Sequence, residues 1–171
     1  LSDRDNNSKQ FRIVTKDFSF EEPATRKKIY KVYVTYKSVS DVGTEDEAAA
    51  NSNVNLYYAV NGQGAQNSKI DASNDTFVNT NWTEFPQSKE ASGSTVLYKA
   101  AVDTATESSG FQGTTTWKTV EFKPSSSINN IYSFQLKFEK YLQVSPVQSY
   151  EVPDGFMIND ISIVYRKKGI K

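Results

Sequence analysis

The sequence predicts an all-β protein, a two-sheet antiparallel β-sandwich of jelly-roll type with about eight strands. Three observations carry that prediction. Segment 27–37, KKIYKVYVTYK, sets Tyr30, Val32, Val34 and Tyr36 against Lys31, Tyr33, Thr35 and Lys37. That is the two-residue period of a strand with one buried and one wet face, and β-branched and aromatic residues suit such a surface. Segment 158–168, INDISIVYRKK, has the same character near the end of the chain. Between them, apolar runs are broken by Gly, Asn, Ser and Pro, and no stretch makes a convincing helix.

Taken in order, residues 1–9 are polar and read as a flexible lead or linker. Strand character begins over 10–15 with Phe11 and Ile13, followed by a short piece over 17–20, DFSF. Pro23 and the run Arg26-Lys27-Lys28 mark a turn before the long strand to Ser38. Segment 39–53 reads as a loop whose EDEAAA core is too short for a stable isolated helix. Residues 53–60, NVNLYYAV, alternate again with Val54, Leu56, Tyr58 and Val60 on one face, and Asn61-Gly62 ends the strand with a tight-turn dipeptide. Segment 70–94 reads as one short strand within long loops, and 95–102 as a strand. In 114–123, TTTWKTVEFK, Trp117 falls out of step with Val120 and Phe122, which predicts a bulge. Residues 130–139, NIYSFQLKFE, are expected to turn Tyr132, Phe134, Leu136 and Phe138 inward. The last strand carries Met157, Ile161, Ile163 and Tyr165.

The expected organisation is a single sandwich domain over 10–168 with a basic tail at 169–171. Its expected core is Tyr30, Val32, Val34, Leu56, Phe134, Leu136, Ile161 and Ile163. The chain begins at Leu1 rather than Met, and a piece of a longer protein is the expectation this raises.

Composition excludes several chemistries. With no Cys and no His, the chain has no disulfide, no thiol nucleophile, no Cys/His zinc site and no histidine base. Net charge is zero, with 20 basic and 20 acidic residues, so no general attraction to nucleic acid or membrane is expected. No apolar run reaches the roughly 20 residues of a membrane-spanning helix.

Candidate catalytic carboxylates are Glu84, Glu90, Glu121, Asp154 and Asp160, because a glycosidase needs two facing groups about 5–10 Å apart. None lies in a signature, and solvated surface is the simpler reading, so no catalytic residue and no enzyme activity are expected. Asp71-Ala72-Ser73-Asn74-Asp75 is oxygen-rich but lacks calcium-loop spacing; turn chemistry explains it, and no metal or cofactor is expected. The basic runs Arg26-Lys27-Lys28 and Arg166-Lys167-Lys168 read as guarded strand ends or rim contacts to an acidic partner. Sequons at Asn6, Asn74 and Asn81 are what chance supplies in an Asn/Thr-rich chain. Among aromatics, Tyr33 and Tyr57 fall on the nominal solvent face of their strands, and Trp82 and Tyr98 in or near loops. Such rings can stack on sugars or fill a partner's pocket, and cover by the long loops or a neighbouring strand is the equally open reading.

The order of elements is more specific than any one of them: DFSF and a basic turn, KKIYKVYVTYKS, NVNLYYAVNG, a Trp-containing strand, NNIYSFQLKF and GFMINDISIVYRKK. Over about residues 10–168 this resembles the β-sandwich domains of virion structural proteins of tailed bacteriophages. The resemblance implies a non-enzymatic virion component in a tail, neck or capsid-decorating assembly. Its partners would be other virion proteins and copies of itself. Tyr33, Tyr57 and Trp82 are the expected interface residues. The last strand also looks like that of jelly-roll carbohydrate-binding modules, which makes a host glycan the alternative partner, although the usual close pair of sugar-stacking aromatics in one loop is not evident.

Overall fold

The computed structural model describes residues 12–38, 54–65, 69–71, 76–78, 81–90, 96–100, 110–124, 128–140 and 155–169. Their strands are β1 (Arg12–Val14), β2 (Lys27–Ser38), β3 (Val54–Val60), β4 (Lys69–Asp71) and β5 (Thr76–Val78). Then come β6 (Thr83–Glu84), β7 (Ser88–Glu90), β8 (Val96–Lys99), β9 (Gly110–Phe111) and β10 (Thr114–Phe122). The last are β11 (Ile128–Ile131), β12 (Phe134–Lys140) and β13 (Phe156–Lys167). One 3₁₀ turn, Gln63–Ala65, follows β3. The expected lead at 1–9, the 39–53 loop, the sequons at Asn6 and Asn74, Asp154, most of the acidic 71–75 stretch and the tail beyond Gly169 lie outside the described residues.

The strands form an all-β, antiparallel two-sheet sandwich. The smaller sheet runs β1-β12-β3-β6. The larger runs β11-β2-β10-β7-β8-β9, with β13 paired along the other side of β2. β4 and β5 make a separate hairpin. Several strands of only two or three residues lie in the 70–94 region, where the sequence carries few apolar residues to mark them.

Alternation along β2 fails at one place. Val164 lies opposite Lys31 but Tyr165 lies opposite Ile29, so Tyr30 is an extra residue in β2. The bulge reverses the inward side of everything before it. Val32, Val34 and Tyr36 are fully buried, but at the other end Ile29 and Lys27 take the inner positions and Tyr30 is 38 % exposed. Tyr30 is therefore not a core residue. A matching extra residue, Asn159, sits in β13 between the pairs Ile158–Tyr36 and Asp160–Thr35. It leaves Met157 outside the core. Trp117 is likewise exposed, within a stretch where β10 slips in register against β2.

Segment 130–139 is not one strand. β11 belongs to the larger sheet and β12 to the smaller, so the chain crosses between layers at Tyr132–Ser133. Asn130 helps the crossing with a positive φ of 58°, a conformation that Asn tolerates better than most residues. Tyr132 thus faces outward, while Phe134, Leu136 and Phe138 are fully buried. Of the remaining expected core, Val32, Val34 and Leu56 are buried, and Ile161 and Ile163 are partly buried against it.

The space between the sheets is filled largely by rings. Phe111 sits 4.8 Å from Tyr36, 5.2 Å from Tyr98, 5.6 Å from Phe122 and 5.2 Å from Phe156, mostly tilted or edge-on. Ring pairs prefer such angles because their quadrupoles oppose flat stacking. Polar tips are satisfied inside the core: the Tyr36 hydroxyl donates to the Gln112 carbonyl at 2.8 Å. Phe111→Ala is expected to lower unfolding free energy by about 3–5 kcal/mol, the cost of an aromatic cavity. Tyr30→Ala should cost under about 1 kcal/mol, as surface changes do. Urea titration of both variants checks the contrast, and equal costs would contradict the bulge.

Candidate functional site

The polar side chains that converge most closely lie on the outer face of the smaller sheet. β12 and β3 are registered so that Lys137 stands opposite Tyr57 and Glu139 opposite Asn55. Tyr57 in turn faces Glu84 on β6, and Glu139 faces Arg12 on β1. Side chains directly opposite across an antiparallel pair share a face and touch. This places Lys137, Tyr57 and Glu84 in one row, and Arg12, Glu139 and Asn55 in the next.

Lys137 is completely buried, and its ammonium bonds to the Glu139 carboxylate. The same nitrogen lies 4.4 Å from the Tyr57 ring centre and 5.2 Å from that of Trp82. Glu139 also meets Arg12 Nε at 3.6 Å. Burial pushes the Lys137 ammonium below its usual range, opposed by Glu139. Burial, with the Glu84 carboxylate second, raises the Tyr57 phenol to about 12. A buried cation is tolerable only with such partners, and here one carboxylate and two aromatic faces supply them. Trp82 Nε1 and Asn55 Oδ1 are buried without a hydrogen-bond partner among the described residues.

The 3₁₀ turn presses on this face. A Cβ on Gly64 would stand 2.7 Å from Trp82 Cζ2 and 2.1 Å from Gln135 Oε1, so only glycine permits the approach.

A second cluster lies on the outer face of the larger sheet. Glu121 accepts from Lys31 Nζ at 2.9 Å and from the Tyr33 hydroxyl at 2.7 Å, and pairs with Lys123 at 3.1 Å. Its carboxyl is held down at about 2, chiefly by the Lys31 hydrogen bond, then by those from Tyr33 and Lys123 against burial.

The three expected interface residues therefore do not share one patch. Tyr57 and Trp82 meet around Lys137, whereas Tyr33 belongs to the Glu121 network. Of the two readings open for Trp82 and Tyr98, exposed ring or covered ring, the covered one holds: they are 7 % and 1 % exposed. Tyr98 is a core residue of β8 whose hydroxyl donates to Glu84 at 3.1 Å. The first basic run is also interrupted, because Lys27 is fully buried and donates to the Glu22 and Tyr132 carbonyls. Asp160 stands apart on β13, and the side chain of Glu90 is outside the described set. Among the described residues no three acidic side chains are grouped to hold a metal ion.

Lys137 and Glu139 carry no signature in the sequence. Their two-residue spacing puts them on one strand face, but a covered outer face is not written in β12 itself. No protein-family model matches the chain, and neither a curated protein nor a solved structure shows significant similarity to it.

Gly64→Ala is expected to cost about 1–3 kcal/mol, since the rigid Trp82 ring must move. Lower thermal stability with altered tryptophan fluorescence would register it. For Glu121, the folded carboxyl titrates below its unfolded value of 4.5, near 2. Its contribution is present above the unfolded value and lost as pH falls through that window. Wild-type stability should therefore drop from pH 4.5 toward 2. Glu121→Gln should remove part of that slope in denaturant titrations at low salt.

Proposed function

We propose that this chain is a non-enzymatic structural domain that works by packing against neighbouring protein subunits, as in the tail, neck or capsid of a tailed-bacteriophage virion. The observation that supports this reading best is the character of the sheet edges. Among the described residues β13 and β1 are outermost strands of the two sheets, and they leave Met157, Val164, Ile13 and Val14 exposed at 41–46 %. Open strand edges carrying apolar side chains are sites of association unless something covers them. The converging polar groups offer no competing chemistry, because Lys137, Glu139 and Glu121 are spent on one another and on their neighbours.

The glycan alternative is the weaker one. Trp82 and Tyr98, two of the rings it needs, are buried. An antibody against this domain should label one symmetric position on negatively stained particles from the native source. A chain found only as free protein, binding on a glycan array with a tryptophan fluorescence shift, would overturn the proposal in favour of the carbohydrate-binding module.

A further inference from the structure

We infer that the open edge of β13 pairs with β13 of a second copy of this chain, antiparallel about a two-fold axis at Ile163. The inference rests on the subunit-packing reading and names the partner. Among the described residues β13 is paired only with β2, so from Asp160 to Arg166 its other side presents backbone groups that no described strand pairs. From Asp160 to Arg166 the strand alternates strictly after the Asn159 bulge. Asp160, Ser162, Val164 and Arg166 are exposed, while Ile161, Ile163 and Tyr165 are partly buried toward the core.

If two larger sheets are to continue into one another, inner residues must oppose inner residues and outer oppose outer. An axis at Ile163 does this and places Asp160 opposite Arg166 of the partner subunit, twice per dimer. Ser162 then faces Val164 of the partner subunit, and Ile161 faces Tyr165 of the partner subunit. Moving the axis to Ser162 sets Asp160 against an apolar Val164. Moving it to Val164 sets Asp160 against Lys168, which already donates to Asn130 at 2.9 Å.

Both charges are available. Asp160 accepts only the Ser162 hydroxyl at 2.9 Å, and Arg166 makes no hydrogen bond or ion pair among the described residues. Their neighbour Lys167 is already held by Glu22 at 2.5 Å. Like charges would guard this edge by repelling a second copy. An acid and a base equidistant from the centre attract one instead.

Sedimentation velocity on the full chain at low salt should show a reversible dimer. Asp160→Arg and Arg166→Asp should each raise its dissociation constant by roughly tenfold or more, and the two together should restore it. All these positions are exposed, so unchanged far-ultraviolet circular dichroism should accompany each variant. The chain has no cysteine of its own. A Ser162→Cys/Val164→Cys variant should therefore oxidise to a covalent dimer, since opposed residues lie about 4.5–5.5 Å apart, within disulfide reach. A chain that stays monomeric and uncrosslinked, or a dimer indifferent to both charge reversals, would overturn the inference. Particle labelling without this dimer would sink the β13 contact alone. Free chain with neither would sink the packing reading as well.

Discussion

The pairing of β2 is the constraint on which the rest of the structure depends. This one strand is hydrogen-bonded to β13 along one side and to β10 and β11 along the other. It must keep Val32, Val34 and Tyr36 in the core while its far end delivers Ile29 and Lys27 to the same interior. Strict alternation cannot satisfy both ends, because Ile29 and Val32 differ in parity. The bulge at Tyr30 resolves the conflict by adding one residue, and the bulge at Asn159 lets β13 follow. After Asn159 the exposed and part-buried residues of β13 alternate through Arg166, and Asp160 and Arg166 fall at equal distances from Ile163.

The smaller sheet shows the same economy on its other face. Phe134, Leu136 and Phe138 enter the core, so Gln135, Lys137 and Glu139 must point away from it. Lys137 is nevertheless buried. A buried ion pair is weak evidence for stability, since desolvating two charges offsets most of their attraction. What it supplies more readily is specificity of arrangement: Lys137 fixes the carboxylate of Glu139 and the faces of Tyr57 and Trp82 at once. Both rings are thereby packed into the fold.

Much of this protein was legible in one dimension. Absence of Cys and His, zero net charge and the strand patterns of 27–37, 53–60 and 158–168 point to an antiparallel β fold with no thiol or imidazole chemistry. Val32, Val34, Leu56, Phe134 and Leu136 are core residues for the reason the pattern gives: side chains of one parity share a face. The bulge near Trp117 is legible too, because Trp117 breaks parity with Val120 and Phe122 within its own strand.

Tertiary structure decided what a single strand's pattern cannot contain. Tyr30 looks inward by parity, and only the register against β13 turns it out. Residues 130–139 read as one strand, yet the chain changes layers at Tyr132, which a local period does not record. Trp82 and Tyr98 read as aromatics in or near loops and are buried, because their cover comes from residues distant in sequence. Lys137 lies on the side of β12 opposite the core residues, and its burial follows only when Trp82 is set against it and the turn at Gly64 against Trp82. Periodicity reports which residues share a side. Whether that side is wet is decided by what the rest of the chain lays over it.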